Sequence, residues 1–211
     1  MNNIYLHAIY ALSSRYNSRE TLQKLKYILE SNALLSKKMQ EKDDAYGFNG
    51  LDYISICDYD KRNLLHPRLK DYNSYYLYIK ASLSIMFPKD KLKVIIPEQV
   101  NFIGTENPEK MKKLGLSNKK RYSDLLDEVQ VKDKVPLSLM SGITLPVSYM
   151  RKPLFSEKLT IDMVINEIEQ TRKLLNKYGY DVPFYDIKTF TPLNDKDKVR
   201  KLVKDNYNCC R

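Results

Sequence analysis

Hydrophobic and polar positions in the first part of the chain predict a strand followed by a helix. The apolar run from Ile4 to Tyr10 is typical of a buried strand. Asn17 and Glu20 then have the spacing of a capping box, in which each side chain bonds a free backbone N–H at the start of a helix. Leucine and isoleucine recur at helical intervals between residues 22 and 29, so this helix has one apolar face.

The next strong pattern is an alternating segment that begins at Glu128. Val129 and Val131 alternate with Glu128 and Gln130, so a strand here buries the valines on one face and presents the carboxylate and the amide on the other. A carboxylate fixed on a rigid strand is a candidate catalytic group. The alternative is a solvated strand residue that pairs with Lys132 on the same face, an interaction that contributes little stability.

Other strands are predicted between these two regions. Leu51 to Cys57 follows a glycine-bounded loop, and its alternation puts Tyr53, Ser55 and Cys57 on one face. Tyr75 to Phe87 is rich in aromatic and β-branched residues and predicts one strand or a bent pair. Two shorter strands are predicted at Lys93 to Pro97 and at Met140 to Val147.

The C-terminal part of the chain changes character. Thr160 to Lys177 has apolar residues at helical spacing, and Gly179 ends that helix. Val182 to Ile187 predicts an edge strand, and Lys196 to Lys204 predicts a short charged helix. Strands in the middle with helices at both ends favour an α+β fold over a doubly wound parallel sheet.

Composition excludes several classes of protein. The 211 residues, 43% of them hydrophobic, predict one domain with a core, and no apolar run approaches the length of a membrane span. Cys57 stands alone and Cys209 adjoins Cys210, which is neither a disulfide framework nor the paired spacing of a zinc site. With His7 and His66 far apart, no metal site is expected, and reduced thiols indicate a cytoplasmic protein.

The net charge of +10 raises the question of an anionic partner. Lysine and arginine that neutralise phosphates release counterions and provide affinity for nucleic acid. The segment from Lys110 to Arg121 holds six basic residues and no acidic one just before the Glu128 strand. Such a segment could receive an anionic ligand, and a solvated basic surface is the alternative.

Four segments, in order over Met1 to Pro146, resemble the ADP-ribosyltransferase fold. They are IYLHAIY, LQKLKYILESNALLS, GLDYISICDY, and DEVQVKDKVPL followed by MSGITLP. In that family a strand with His or Arg precedes a helix, a middle strand carries Tyr or Ser, and a late strand starts at a catalytic Glu. The chain is more similar to the His-Tyr-Glu branch, shared by poly-ADP-ribose-type enzymes, than to the arginine-led toxins.

The resemblance implies a split, mainly antiparallel sheet core with peripheral helices. Residues 1–150 would form the catalytic domain, and residues 151–211 would add a C-terminal helix, an edge strand and a charged tail packed on the same domain. The co-substrate would be NAD, with no metal. Leu126 stands two residues before Glu128, where many arginine-modifying toxins have a second Glu, so modification of arginine is less favoured.

The resemblance also implies a role for each candidate residue. His7 would hydrogen-bond the nicotinamide-proximal ribose or the amide of NAD, Tyr53 would stack on nicotinamide, and Ser55 would hydrogen-bond it. Glu128 would stabilise the positive charge that develops on the ribose as its bond to nicotinamide breaks. From the sequence alone, a satisfied core histidine and a packing tyrosine are the structural alternatives.

The loop before the catalytic strand selects the acceptor in the resemblance. Arg121, Tyr122, Asp124 and Asp127 are therefore candidates for contact with a base or a side chain, with an ordinary polar loop as the alternative. The expected function is that of an NAD-dependent mono-ADP-ribosyltransferase that modifies a protein or a nucleic acid, without a membrane partner. A toxin or an effector delivered into a target cell fits this description. An NAD glycohydrolase and a non-catalytic, basic nucleic-acid-binding module are the alternatives.

Overall fold

The fold is taken from a computed structural model, which describes residues 3–9, 18–40, 52–60, 82–95, 128–149 and 161–208. Short 3-10 helices lie at Lys38–Gln40, Lys89–Lys91, Leu137–Leu139 and Val147–Tyr149. The longer elements are β1 (Ile4–Ile9), α1 (Ser18–Ser31), β2 (Ala33–Leu35), β3 (Tyr53–Asp58), β4 (Leu83–Pro88), β5 (Glu128–Lys132), β6 (Lys134–Pro136), β7 (Gly142–Leu145), α2 (Ile161–Lys177), β8 (Phe184–Asp186) and α3 (Lys196–Asn208).

Six of the strands form one sheet in the order β5-β3-β1-β4-β7-β8. Every neighbouring pair is antiparallel except β7 and β8, which are parallel. Strands β2 and β6 form a separate antiparallel ribbon. The α+β class and the mainly antiparallel sheet are thereby confirmed, and the segment predicted as an edge strand contributes β8 at the edge of the described sheet.

Helices cover one face of this sheet. Leu25 and Leu29 of α1, Ile168 of α2 and Val199 of α3 are all buried in the main core cluster. A smaller cluster on the opposite face includes Leu6, Cys57 and Met86 from the three central strands. Because successive residues of a strand point to opposite faces, the two clusters follow directly from the alternation in β1, β3 and β4.

The C-terminal ends of α1 and α2 lie side by side. The Tyr178 hydroxyl donates to the Glu30 carboxylate over 3.1 Å, and the Tyr180 hydroxyl bonds the Asn32 side chain. Gly179 has a φ of +82° directly after α2, a conformation that suits glycine and ends the helix as predicted. These contacts hold the C-terminal ends of the two helices next to each other.

A buried carboxylate lies at the end of β8, the strand at one edge of the described sheet. Asp186, at the end of β8, is 0% exposed and accepts hydrogen bonds from the backbone N–H and the hydroxyl of Ser148, at 2.8 and 2.7 Å. It also accepts from the N–H and the hydroxyl of Thr189 and from the N–H of Lys188. A desolvated carboxylate is stable only with such compensation, so Asp186 fixes the turn after β8.

Some predicted elements are shorter than expected or are not described. Within Lys93 to Pro97 the described residues make only an isolated bridge, from Ile95 to Gln130. The strand predicted from Tyr75 begins at Leu83, with its earlier residues outside the described part, and Asn17 of the predicted capping box also lies outside it. Among the described residues, no helix has both the length and the apolar character needed to cross a membrane.

Candidate functional site

Three adjacent strands carry the candidate NAD-binding and catalytic residues. His7 lies on β1, Tyr53 and Ser55 lie on β3, and Glu128 opens β5, with β3 between the other two strands. In the β3–β5 register, Ser55 is opposite Gln130 and Cys57 is opposite position 128. Residues from distant parts of the sequence thus come to one half of the sheet.

The pairing between β1 and β3 stops after two residue pairs. Tyr5 is opposite Asp58 and Leu6 is opposite Cys57, whereas β1 pairs with β4 along all six of its residues. His7 is the first residue of β1 beyond the paired part. Its Nδ1 atom lies 2.9 Å from the backbone oxygen of Ser55, so the imidazole takes the place that a ladder hydrogen bond would have occupied.

This contact fixes the tautomer of the neutral imidazole. The Ser55 carbonyl can only accept, so Nδ1 of His7 carries the proton and donates it, and Nε2 is left as an acceptor. Burial lowers the pKa of His7 below its ordinary value and outweighs the opposite effect of the bond to Ser55. At neutral pH His7 is therefore uncharged, and its Nε2 atom can accept a hydrogen bond from a hydroxyl group.

The sheet register does not bring positions 7 and 128 to one face. Cys57 pairs with both Leu6 and position 128, so position 128 belongs to the face of Leu6, while His7 follows Leu6 and belongs to the other face. A ligand that contacts both would have to enter the gap between β1 and β3, beyond Leu6. The side chain of Glu128 lies outside the described part of the structure, as do Arg121, Tyr122, Asp124 and Asp127.

Tyr53 and Ser55 of β3 and Gln130 of β5 share the face of Leu6 and Cys57, opposite to His7, whereas Ile54 and Ile56 of β3 are buried on the face of His7. Tyr53 and Ser55 are half-buried, and Gln130 is only 6% exposed although it carries an amide. The backbone N–H and C=O of Gln130 both bond Ile95, which holds β5 from its outer side. The sequence interpretation placed Gln130 beside Glu128 without a role, and its pairing with Ser55 makes it a further candidate contact for a ligand.

An ion cluster that the sequence interpretation missed lies at the start of β1. Lys89 Nζ bonds the carboxylates of Asp58 and of Asp60, the latter at 2.7 Å, and it lies 5.4 Å from the ring centre of Tyr5. Burial alone would lower the pKa of Lys89, but the bonds to the two carboxylates and their charges raise it. Burial, reinforced by the charge of Asp58, raises the pKa of Tyr5. The cluster ties the ends of β3 and β4 to β1 where β1 and β3 are still paired.

Two buried hydroxyls lie further along the same sheet. Ser84 on β4 faces Ala8 on one side and Thr144 on the other, and both Ser84 and Thr144 are 0% exposed. Neither hydroxyl has a hydrogen-bond partner within the described structure. Such buried orphans are uncommon, so these two hydroxyls are possible contacts for a water molecule or a ligand.

The described residues contain no group of three or more histidine, cysteine, aspartate or glutamate side chains that could hold a metal ion. Comparison of the chain with protein-family models, with curated proteins and with solved structures found no match. The functional interpretation therefore depends on the residues and their geometry.

Proposed function

We propose that the protein is an NAD-dependent mono-ADP-ribosyltransferase that modifies a macromolecular acceptor, a protein or a nucleic acid. One observation carries this proposal: the strands of His7, of Tyr53 with Ser55, and of Glu128 are neighbours in one sheet. Each residue type occurs on the strand where the resemblance requires it. The interrupted pairing of β1 and β3 also agrees with the split sheet that the resemblance implies.

In this proposal NAD occupies the gap between β1 and β3. Nε2 of His7 accepts a hydrogen bond from a ribose hydroxyl, for which a neutral imidazole with its proton on Nδ1 is suited. Tyr53 and Ser55 contact the nicotinamide, the first by stacking and the second by hydrogen bonding. The half-buried state of both side chains leaves part of each one accessible to a ligand.

Glu128 supplies the electrostatic part of the reaction. The bond between the ribose C1′ atom and the nicotinamide nitrogen breaks, and its electron pair leaves with nicotinamide. Positive charge develops on the sugar, which a nearby carboxylate stabilises. A nucleophilic atom of the acceptor then bonds C1′ and loses its proton. Where water replaces the acceptor, the same site acts as an NAD glycohydrolase.

Labelled NAD incubated with a cell lysate tests this proposal. We expect label on a macromolecule with the parent protein, and a loss of about 100-fold or more in Glu128→Gln, since one transition-state contact is removed. Lys132→Gln is the matched control because Lys132 is an exposed residue of the same strand. Sensitivity of the label to nuclease or to protease identifies the acceptor. Unchanged turnover in Glu128→Gln rejects the assignment of Glu128, and nicotinamide release without a labelled macromolecule indicates the hydrolase.

A further inference from the structure

Helices α1 and α2 border an open groove of about 550 Å³ on the helical side of the molecule. Eight of the described residues line it, and four of these are basic. The lining residues are Arg19, Leu22, Gln23 and Lys26 from α1, and Gln170, Lys173, Leu174 and Lys177 from α2.

Each helix contributes one stripe to the groove. The four residues of each stripe are spaced at i, i+3, i+4 and i+7, which places them on one side of two helical turns, about 10 Å long. Both stripes contain two cations, one glutamine and one leucine. The groove thus has apolar, amide and cationic groups on both walls.

The charge of the lining is not balanced within the groove. None of the described residues that line it is a carboxylate, and Lys26 makes an exposed ion pair with Glu30, at 3.5 Å, of the kind that contributes little. Helix dipoles favour Lys177, which lies in the negative last turn of α2, whereas α1 has no basic residue in its last turn. The dipoles do not account for Arg19, which lies in the first turn of α1, where the helix dipole disfavours a cation. An anionic occupant would offset this repulsion.

We propose that this groove binds a single strand of nucleic acid through its phosphodiester backbone. A strand within a duplex carries one phosphate per about 3.4 Å of helix axis, and an extended single strand spaces its phosphates further apart, so a groove of about 10 Å accommodates fewer than three of them. The four cations outnumber these phosphates, so each phosphate can contact more than one cation. Gln23 and Gln170 can both donate and accept, as hydrogen bonding to sugars and bases requires, and Leu22 and Leu174 offer apolar contact. The net charge of +10 attracts a long polyanion over a distance.

This binding does not require the proposed reaction, so it is tested without NAD. The measurement is fluorescence anisotropy with a labelled single-stranded DNA and a labelled RNA of mixed sequence, over a range of salt concentrations. The groove variant carries Lys26→Gln, Lys173→Gln and Lys177→Gln together. We expect its slope of log affinity against log salt to fall by about 2, which corresponds to about 100-fold weaker binding at 0.1 M salt.

The control variant carries Lys198→Gln, Lys201→Gln and Lys204→Gln, three exposed lysines of α3. It removes the same charge and should change the affinity less than about threefold if the groove is the site. Equal losses in the two triple variants would mean that only overall charge matters and would overturn the proposal. An unchanged salt slope in the groove variant would also overturn the proposal. The same holds if a polyglutamate peptide displaces the labelled strand at a lower concentration of negative charge than unlabelled nucleic acid does.

A measurement on the parent protein guards against altered folding of the variants. A single strand that contains 4-thiothymidine is cross-linked by light, and the attached peptides are identified by mass spectrometry. Cross-links to peptides of α1 and α2 are expected. Cross-links confined to other segments would overturn the assignment of the groove whatever the variants show.

Discussion

His7 offers the sharpest distinction between a structural and a ligand-binding role. Its Nδ1 atom donates to the Ser55 carbonyl, while Nε2 is the acceptor assigned to NAD. In His7→Asn the amide nitrogen can replace Nδ1, but no group replaces Nε2. His7→Leu removes both. The pair of variants therefore separates the two nitrogen atoms.

The expected changes in stability and in NAD affinity can be worked out from one hydrogen bond at each ring nitrogen of His7. In His7→Leu the Ser55 carbonyl loses its donor in a partly buried place, which costs about 1–3 kcal/mol of unfolding free energy. For a chain of this length, each kcal/mol lowers the melting temperature by about 2–4 °C. His7→Asn should lose about 1 kcal/mol or less because the bond is kept. Loss of one neutral hydrogen bond to NAD should weaken its binding about three- to tenfold in both variants.

The lowered pKa of His7 adds a pH dependence with a definite sign. The unfolded ring takes up a proton near its ordinary pKa of about 6.5, whereas the folded ring does so only at lower pH. The stability that His7 contributes is therefore complete above about pH 6.5 and falls as the pH is lowered toward the folded pKa, by at most about 1.4 kcal/mol per pH unit. Both variants should lose this part of the pH dependence.

Urea unfolding across this pH range, with calorimetric titration of NAD at neutral pH, measures these effects. We expect His7→Asn to be nearly as stable as the parent protein but to bind NAD more weakly. We expect His7→Leu to be less stable than the parent protein and also to bind NAD more weakly. If His7→Asn keeps the pH slope of the parent protein, the reasoning about the buried ring is wrong. If it binds NAD as the parent does, His7 has only a structural role.

Two further substitutions test the buried charges, each against a matched control. Asp186→Asn keeps the shape of the side chain but turns an amide toward hydrogen-bond donors, and it should lower the free energy of unfolding by about 3 kcal/mol or more. Asp195→Asn, at the N-cap of α3, is its control and should change the free energy of unfolding by less than about 0.5 kcal/mol. Urea titration measures both. Lys89→Met leaves the carboxylate of Asp58, which is 6% exposed, without its cation and should cost about 2 kcal/mol, less than for a fully buried pair because water reaches Lys89. Lys38→Met, which removes an exposed ion pair, should leave the melting curve nearly unchanged, and a similar loss in both lysine variants would contradict this account.

Local patterns in the sequence predicted the elements that depend on periodicity. The strand from Ile4 and the strand from Glu128 begin at the residues that the sequence predicted, and the helix predicted over Thr160 to Lys177 is described from Ile161 to Lys177. Val129 and Val131 are buried, as the alternation predicted. A period of two or of 3.6 residues is a property of neighbouring positions, so the sequence alone contains it.

Contacts between distant segments could not be predicted in this way. The partner of the His7 ring is a backbone carbonyl, and every residue has one, so no side chain in the sequence indicates Ser55. Lys89 and Asp58 are likewise one lysine and one aspartate among many until the strand order brings them together. The two basic stripes of α1 and α2 are visible as helical spacing, but only the tertiary packing shows that they face one groove.

The ion cluster and the candidate site lie at two ends of one interrupted strand pair. Lys89 connects β4 to the end of β3 beside Tyr5, and the ladder between β1 and β3 continues only as far as Leu6. Beyond that point the His7 side chain bonds the backbone of β3 at Ser55. The Lys89 cluster holds β1 and β3 together at one end of the pair, and the bond from the His7 ring holds them at the other end. Both strands therefore stay in one sheet. The same arrangement leaves ring and carbonyl groups, instead of a continuous ladder, at the place where NAD is proposed to bind.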